Sequence, residues 1–226
     1  MPQLIAPTFF HAFLRPIRKQ NQPDVSAVTL QLKSQYFMTH FLALSGSSTK
    51  FSKSGFLLRS VASILEQRAI EFRAIHAVDF PISEDTKHDL TDQFIADTAD
   101  EVRQASAILL VTPATKESVP ALLSTLLGRL ADDLFLGKPV LLLATGGLPA
   151  HVAVLERALR HELVRLGTRT IAARVHIGTG GWATIGQDRP RLSRGAEQEV
   201  AHAVDLILEG ITLRELREHS LALAGR

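Results

Sequence analysis

Cysteine is absent from the 226-residue chain, and tryptophan and tyrosine occur once each. The first absence excludes disulfides, thiolate metal sites and a cysteine nucleophile. It also suits a reducing compartment, so a cytoplasmic location is expected. No apolar run approaches the roughly 20 residues needed to span a bilayer, so no membrane partner is expected. Charge of one sign is missing too: 25 Lys and Arg stand against 23 Asp and Glu, a net charge of +2. No basic stripe alternates with aromatics, which argues against nucleic acid as a partner. None of the nine histidines stands at HExxH or other close-ligand spacing, so no metal is expected. A Gly-x-Ser-x-Gly elbow is lacking, and with it support for a serine hydrolase.

What remains is ordinary globular composition, 46% apolar and 21% charged, in a chain long enough for one well-buried α/β domain. Residues 1–37 stand apart, with Pro2, Pro7, Pro16 and Pro23, the basic cluster Arg15, Arg18 and Lys19, and one acid, Asp24. No small-residue cleavage site follows an apolar core there, although residues 25–32 alternate well enough for a short strand. The expectation is an N-terminal extension dispensable for the fold, with Met38 as an alternative start.

From Thr39 onwards, short apolar runs alternate with longer segments of helical periodicity. The pattern predicts strands at 41–44, 72–78, 107–111, 139–144 and from 170 to about 177. It predicts helices at about 54–68, 96–104, 119–130 and 149–166, the last capped by Gly167. A final helix starts near Ala196 with a break near Gly210. The runs Ala107 to Val111 and Pro139 to Ala144 are continuously apolar, as strands covered on both faces require. Five strands alternating with five helices imply right-handed crossovers and a three-layer, doubly wound α/β fold with a five-stranded parallel sheet. Residues 38–226 read as one domain.

In such sheets ligands bind outside the carboxyl ends of the strands, where the strand order reverses. Three loops leave such ends, at 45–54, 112–118 and 145–150. In the first, small hydroxyl residues precede a helix, so accessible N–H groups and the helix dipole form an anion cradle, with Lys50 and Lys53 adding charge. It matches neither the P-loop nor the Gly-x-Gly-x-x-Gly pattern. The alternative is an ordinary turn capped by Ser52 or Ser54. In the third loop, Gly146 and Gly147 permit close backbone approach to a ligand, or simply make a tight turn. His151 reads as a polar or capping residue, Asp132 and Asp133 as solvated carboxylates.

Together the loops resemble the NADPH-dependent FMN reductase family, especially the small reductases that supply reduced flavin to sulfonate monooxygenases. The resemblance covers about residues 39–177. It rests on Leu-Ser-Gly-Ser-Ser-Thr-Lys-Phe-Ser-Lys-Ser (44–54), on 111–116, and on Leu-Leu-Leu-Ala-Thr-Gly-Gly-Leu-Pro-Ala-His (141–151). It implies a flavodoxin-like FMN-binding domain over 38–226, although the basic pI of about 9.1 is unlike an acidic flavodoxin proper. It also implies that Ser47, Ser52, Lys53 and Ser54 hold the FMN phosphate. Pro113, Ala114, Thr115 and Lys116 would border the isoalloxazine, and Thr145, Gly146 and Gly147 would bind its pyrimidine edge. The chain departs from the family at Thr115, often Tyr, at Ala121, usually Gly, and at Arg157, where some members carry Tyr.

The implied activity is hydride transfer from NADPH or NADH to FMN, without a catalytic side chain, since the fold supplies orientation and electrostatics. A flavin-dependent monooxygenase would take the product. A flavin-retaining quinone or azo reductase, and a non-enzymatic electron carrier or binding module, stand as alternatives. A homodimer or homotetramer is expected, with helices 119–130 and 149–166 as contacts.

Overall fold

A computed structural model describes residues 39–81, 88–116, 119–168, 171–183 and 190–224. The expectations for residues 1–37 lie outside them. Five strands form one parallel sheet: β1 (His40–Ser45), β2 (Glu71–His76), β3 (Ala107–Pro113), β4 (Val140–Thr145) and β5 (Ala173–Ile177). The order is β2-β1-β3-β4-β5, the flavodoxin-like doubly wound order, which reverses between β1 and β3. Ser45 pairs with Val111, and Pro113 with Thr145, so the carboxyl ends of β1, β3 and β4 lie side by side.

Alternate side chains of each central strand serve two cores. Phe41, Ala43, Leu109, Val111, Leu141 and Leu143 pack under α1 (Lys53–Glu66) and α5 (Arg194–Ala224). Leu42, Leu44, Ile108, Leu110, Leu142 and Ala144 pack on the other face. That face is covered by α2 (His88–Gln104), α3 (Ala121–Arg129) and α4 (Pro149–Arg165). Each buried Leu or Phe contributes about 1.5–3 kcal/mol of transfer free energy, so the continuous apolar runs are the main source of stability. Gly167 takes φ +91 and closes α4 as a Schellman cap. The N–H groups of Thr168 and Gly167 donate to the carbonyls of Leu163 and Val164.

Three details differ from the sequence pattern. Helix α2 starts at His88, a full two turns early. Phe94, in its second turn, meets Phe80 edge-on at 5.6 Å, in a small cluster beside Leu126. Helix α5 does not break at Gly210: a Cβ there would meet nothing, and Ile207, Leu208 and Ile211 hold the helix to the sheet. An antiparallel ribbon of β6 (Trp182–Ala183) and β7 (Arg191–Leu192) follows β5, in a stretch where the apolar pattern predicts no element.

Candidate functional site

The first loop leaves β1 through Gly46, whose N–H donates to Val111 O at 2.8 Å. A Cβ on Gly46 would lie 2.9 Å from both Leu123 and Thr112 Oγ1, so only glycine passes between β3 and α3. The loop then folds around its own hydroxyls. Ser47 Oγ, nearly buried, donates to Ser52 Oγ at 2.7 Å. Ser52 is the N-cap of α1 and accepts from Gly55 N–H at 3.2 Å. Thr49 Oγ1 accepts from Phe51 N–H. The capping alternative is therefore realised by Ser52, and it coexists with an open helix end. No acidic residue stands in the first turn of α1, and Lys53 occupies its first position. A helix start normally favours acids, so the positive end of this dipole has no compensating acid in its first turn.

The two lysines part ways. Lys50 Nζ is ion-paired to Asp79 at 2.7 Å, which commits its charge to the end of β2. Lys53 Nζ sits 6.0 Å from the centre of the Trp182 ring. The indole Nε1 of Trp182 and the hydroxyl of Ser45 are buried without a hydrogen-bond partner among the described residues. Unsatisfied buried donors cost about 1–3 kcal/mol each, and His40 Nε2 and Glu101 Oε2, at the other end of the sheet, are in the same position among the described residues.

The three loops are joined at one rim. Ser54 Oγ and Thr145 Oγ1 share a buried hydrogen bond of 2.7 Å across 91 positions of sequence. Ala114 N–H donates to Thr145 O at 2.9 Å, so the second and third loops lie against each other. Thr115 and Lys116 are exposed beside them. Residues 117 and 118 lie outside the described residues.

The two glycines of the third loop do different things. Both lie in the left-handed region, at φ +69 for Gly146 and +66 for Gly147. Gly146 N–H donates to Ile177 O, and its carbonyl accepts from His176 Nε2 at 2.7 Å. Its backbone groups are thus turned into the sheet, and what it offers a ligand is bare space, since a Cβ would meet nothing within 4 Å. At Gly147 a Cβ would fall 2.4 Å from Ala114 O, a contact no side chain survives. Of the two amides, Gly147 N–H is the one not donating to β5. His151 is a capping residue, as the sequence reading held: its Nδ1 accepts from Leu148 N–H at 3.1 Å at the start of α4.

Sequence reasoning missed His176 and the placement of Trp182, because both depend on where β5 and the ribbon end. Asp132 is not merely solvated: its carboxylate pairs with Arg165 at 2.8 Å. That hydrogen bond, with Glu162 nearby, raises the Arg165 pKa further, while Arg165 also donates to Leu130 O at the end of α3. His76, beside Lys50, is held below its ordinary pKa by burial and by that ammonium. Among the described residues no group of three or more potential metal ligands comes together, and no helix is long and apolar enough to cross a membrane.

A family model described as NADPH-dependent FMN reductase matches residues 39–181. The FMN reductase (NADPH) of Pseudomonas putida is 33% identical over 126 residues, covering 55% of this chain and 64% of that protein. Its namesake in Escherichia coli is 36% identical over 72 residues, 32% of this chain and 38% of that one. The chain therefore spans less than two thirds of the length of these relatives. Among solved structures, an NADH:FMN oxidoreductase, EMOB, in its apo form, superposes with a TM-score of 0.61 at 25% identity, over 75% of this chain and 88% of that one. A Streptococcus pneumoniae flavodoxin at TM-score 0.50 and 10% identity, over 78% and 99%, shares the fold alone. With the matched stretch taking in all five strands of the sheet and all three rim loops, the chain belongs to the NADPH-dependent FMN reductase family.

Proposed function

We propose that the chain is an NAD(P)H-dependent FMN reductase that moves a hydride from nicotinamide to flavin and supplies reduced FMN to a partner monooxygenase. The observation that supports it best is the Ser54–Thr145 bond, which locks the anion loop to the glycine loop at the point where strand order reverses. The residues fit a phosphorylated flavin on three counts. The start of α1 is free of acids, Ser45 Oγ and Trp182 Nε1 have no hydrogen-bond partner among the described residues, and Gly146 leaves bare space at the rim.

Ser47 and Ser52, their hydroxyls already linked, present the loop and the α1 N–H groups to the phosphate, and Lys53 adds full positive charge. Ser54 acts through its backbone, because its hydroxyl is buried on Thr145. Pro113, Ala114, Thr115 and Lys116 border the ring, and Thr145, Gly146 and Gly147 line its pyrimidine edge. There Gly147 N–H would be the donor available to a ring that gains negative charge. Bound FMN would supply the two-electron chemistry, so no side chain acts as nucleophile or acid. The same reading takes residues 1–37 as dispensable and the protein as cytoplasmic. It also carries a homodimer or homotetramer through α3 and α4, whose Val154 and Val164 are exposed.

The test is a titration of the full chain with FMN and with riboflavin, followed by NADPH oxidation in the presence of each. FMN is expected to bind more than about tenfold tighter, the share of a good phosphate site. Equal affinity overturns the phosphate cradle, and failure of NADPH oxidation overturns the reductase. Flavin retained stoichiometrically through gel filtration overturns the supply role.

A further inference from the structure

Three successive amides follow β4, and two of them are taken. Gly146 N–H donates to Ile177 O at 2.9 Å, and Leu148 N–H donates to His151 Nδ1 at 3.1 Å. Gly147 N–H has no acceptor among the described residues. What aims it is a bond at the other end of its own peptide. The oxygen of that peptide is Gly146 O, which accepts from His176 Nε2 at 2.7 Å. A carbonyl oxygen can only accept, so the ring carries a proton on Nε2 in this contact.

The peptide plane couples the two ends. A trans peptide sets C=O and N–H antiparallel, so holding Gly146 O on His176 turns Gly147 N–H away from β5. β5 is the edge strand, and the first and second rim loops lie on the other side. Nothing local enforces that direction. Turning the plane over changes only ψ of Gly146 and φ of Gly147, and glycine takes either sign of φ about equally readily. A pair of glycines therefore leaves the orientation to an outside contact.

His176 is well placed to be that contact. It pairs with Ala144 in the β4–β5 register, and its neighbours Val175 and Ile177 are buried in the core under α5. Its half-buried ring lines a cleft of about 290 Å³ with Val152 and Glu156 of α4, Arg174 of β5 and Glu199 of α5. Glu156 is ion-paired to Arg174 at 3.0 Å.

We infer that His176 is a positioning residue for the flavin site: it latches the 146–147 peptide so that Gly147 N–H points into the rim. By donating to the carbonyl it also polarises the amide into a stronger donor. The inference rests on the flavin reading, since the charge it serves is that of a reduced ring. An amide both aimed and polarised favours the more negative, reduced flavin over the oxidised one. His176 thus sets the ratio of the two affinities rather than binding as a whole.

Anaerobic titration of the full chain with FMN and with dithionite-reduced FMN tests it. His176→Leu is expected to lower the reduced-to-oxidised affinity ratio about tenfold, a shift of about 30 mV to more negative potential for a two-electron couple. His176→Gln, whose amide nitrogen can stand near the place of Nε2, is expected to restore most of the ratio. Equal loss for both forms, or no loss, overturns the latch and leaves the reductase reading standing. Wild-type protein that binds neither form overturns both. A second measurement needs no variant and no flavin. In the flavin-free wild-type protein, the Gly147 amide proton resonance is expected to move downfield as the His176 ring is protonated. Glu156, Arg174 and Glu199 are the charged groups that share the cleft with that ring. A resonance that stays still while the ring titrates overturns the latch whether or not FMN binds.

Discussion

The two rims of the sheet solve the same problem, reversing the chain between strand and helix, in different ways. At the carboxyl rim the left-handed positions are glycines, Gly146 and Gly147, and the loops are tied by hydroxyls and amides: Ser47 to Ser52, Ser54 to Thr145, Ala114 to Thr145. At the amino rim, Gly137 and Gly167 are joined in the left-handed region by two residues with side chains, Ala69 at φ 56 and Asp133 at φ 58. There a long helix runs past the sheet with leucines exposed. Exposed apolar side chains and buried polar atoms without a partner among the described residues occur at both rims: Phe51, Leu148, Ser45 and Trp182 at the carboxyl rim, Leu213, Leu216, His40 and Glu101 at the amino rim. What sets the carboxyl rim apart is the adjacent pair of left-handed glycines at a strand end, bare backbone that a flat group can approach.

The comparison can be broken most sharply at the glycines. Gly147→Ala forces a Cβ to within 2.4 Å of Ala114 O. It is expected to cost roughly 3 kcal/mol and to abolish flavin binding, read by denaturant unfolding and by FMN titration. Gly146→Ala meets open space and pays only the left-handed strain, about 1–2 kcal/mol. Equal effects at the two positions would show that Gly147 is not pressed against Ala114.

Next comes the buried hydroxyl pair. Ser54→Ala and Thr145→Val each leave a buried partner unsatisfied and are expected to cost about 1–3 kcal/mol by urea unfolding. The double variant is expected to lose clearly less than the sum, because it removes both orphans at once. Strict additivity would mean that the two hydroxyls do not meet.

At the amino rim the sign reverses. Ala69→Gly relieves the left-handed strain and is expected to stabilise by about 0.5–1 kcal/mol, raising the thermal midpoint, where the carboxyl rim tolerates no such gain. A loss of stability there would remove the contrast between the rims.

The smallest effect is one of pH. Burial and the Lys50 ammonium lower the His76 pKa from 6.5. Below pH 6.5 the unfolded chain therefore binds a proton that the folded protein resists. Stability is full above that pH and declines as pH falls from 6.5 towards the depressed folded value. His76→Gln is expected to flatten that part of the thermal-midpoint profile, and an unchanged slope would remove His76 from the Lys50–Asp79 corner.

How much was legible beforehand follows from the range of the forces. The strands at 107–111 and 139–144 are continuous apolar runs, and burial on both faces is the one environment that selects such runs, so both were readable. Gly167 as a helix stop is local backbone chemistry and was readable too, whereas the sequence left the cap of α1 open between Ser52 and Ser54. The early start of α2 was not, because Phe94 is stabilised by Phe80, across residues 82–87 of sequence that carry no helical pattern. The β6–β7 ribbon was hidden for the same reason: two residues on each side are too short for a period of two to show.

By itself the sequence determined the class of fold, the three rim loops and the kinds of residue in them, because hydrophobic period and turn chemistry act over a few neighbouring residues. The tertiary structure alone decided which of those residues remain open to a ligand. It turned Gly146 N–H towards Ile177, Lys50 towards Asp79 and the Ser54 hydroxyl towards Thr145, and it carried α5 past the sheet. Hydrogen bonds and ion pairs are made once per group, and which partner takes each is fixed only when distant strands come into register.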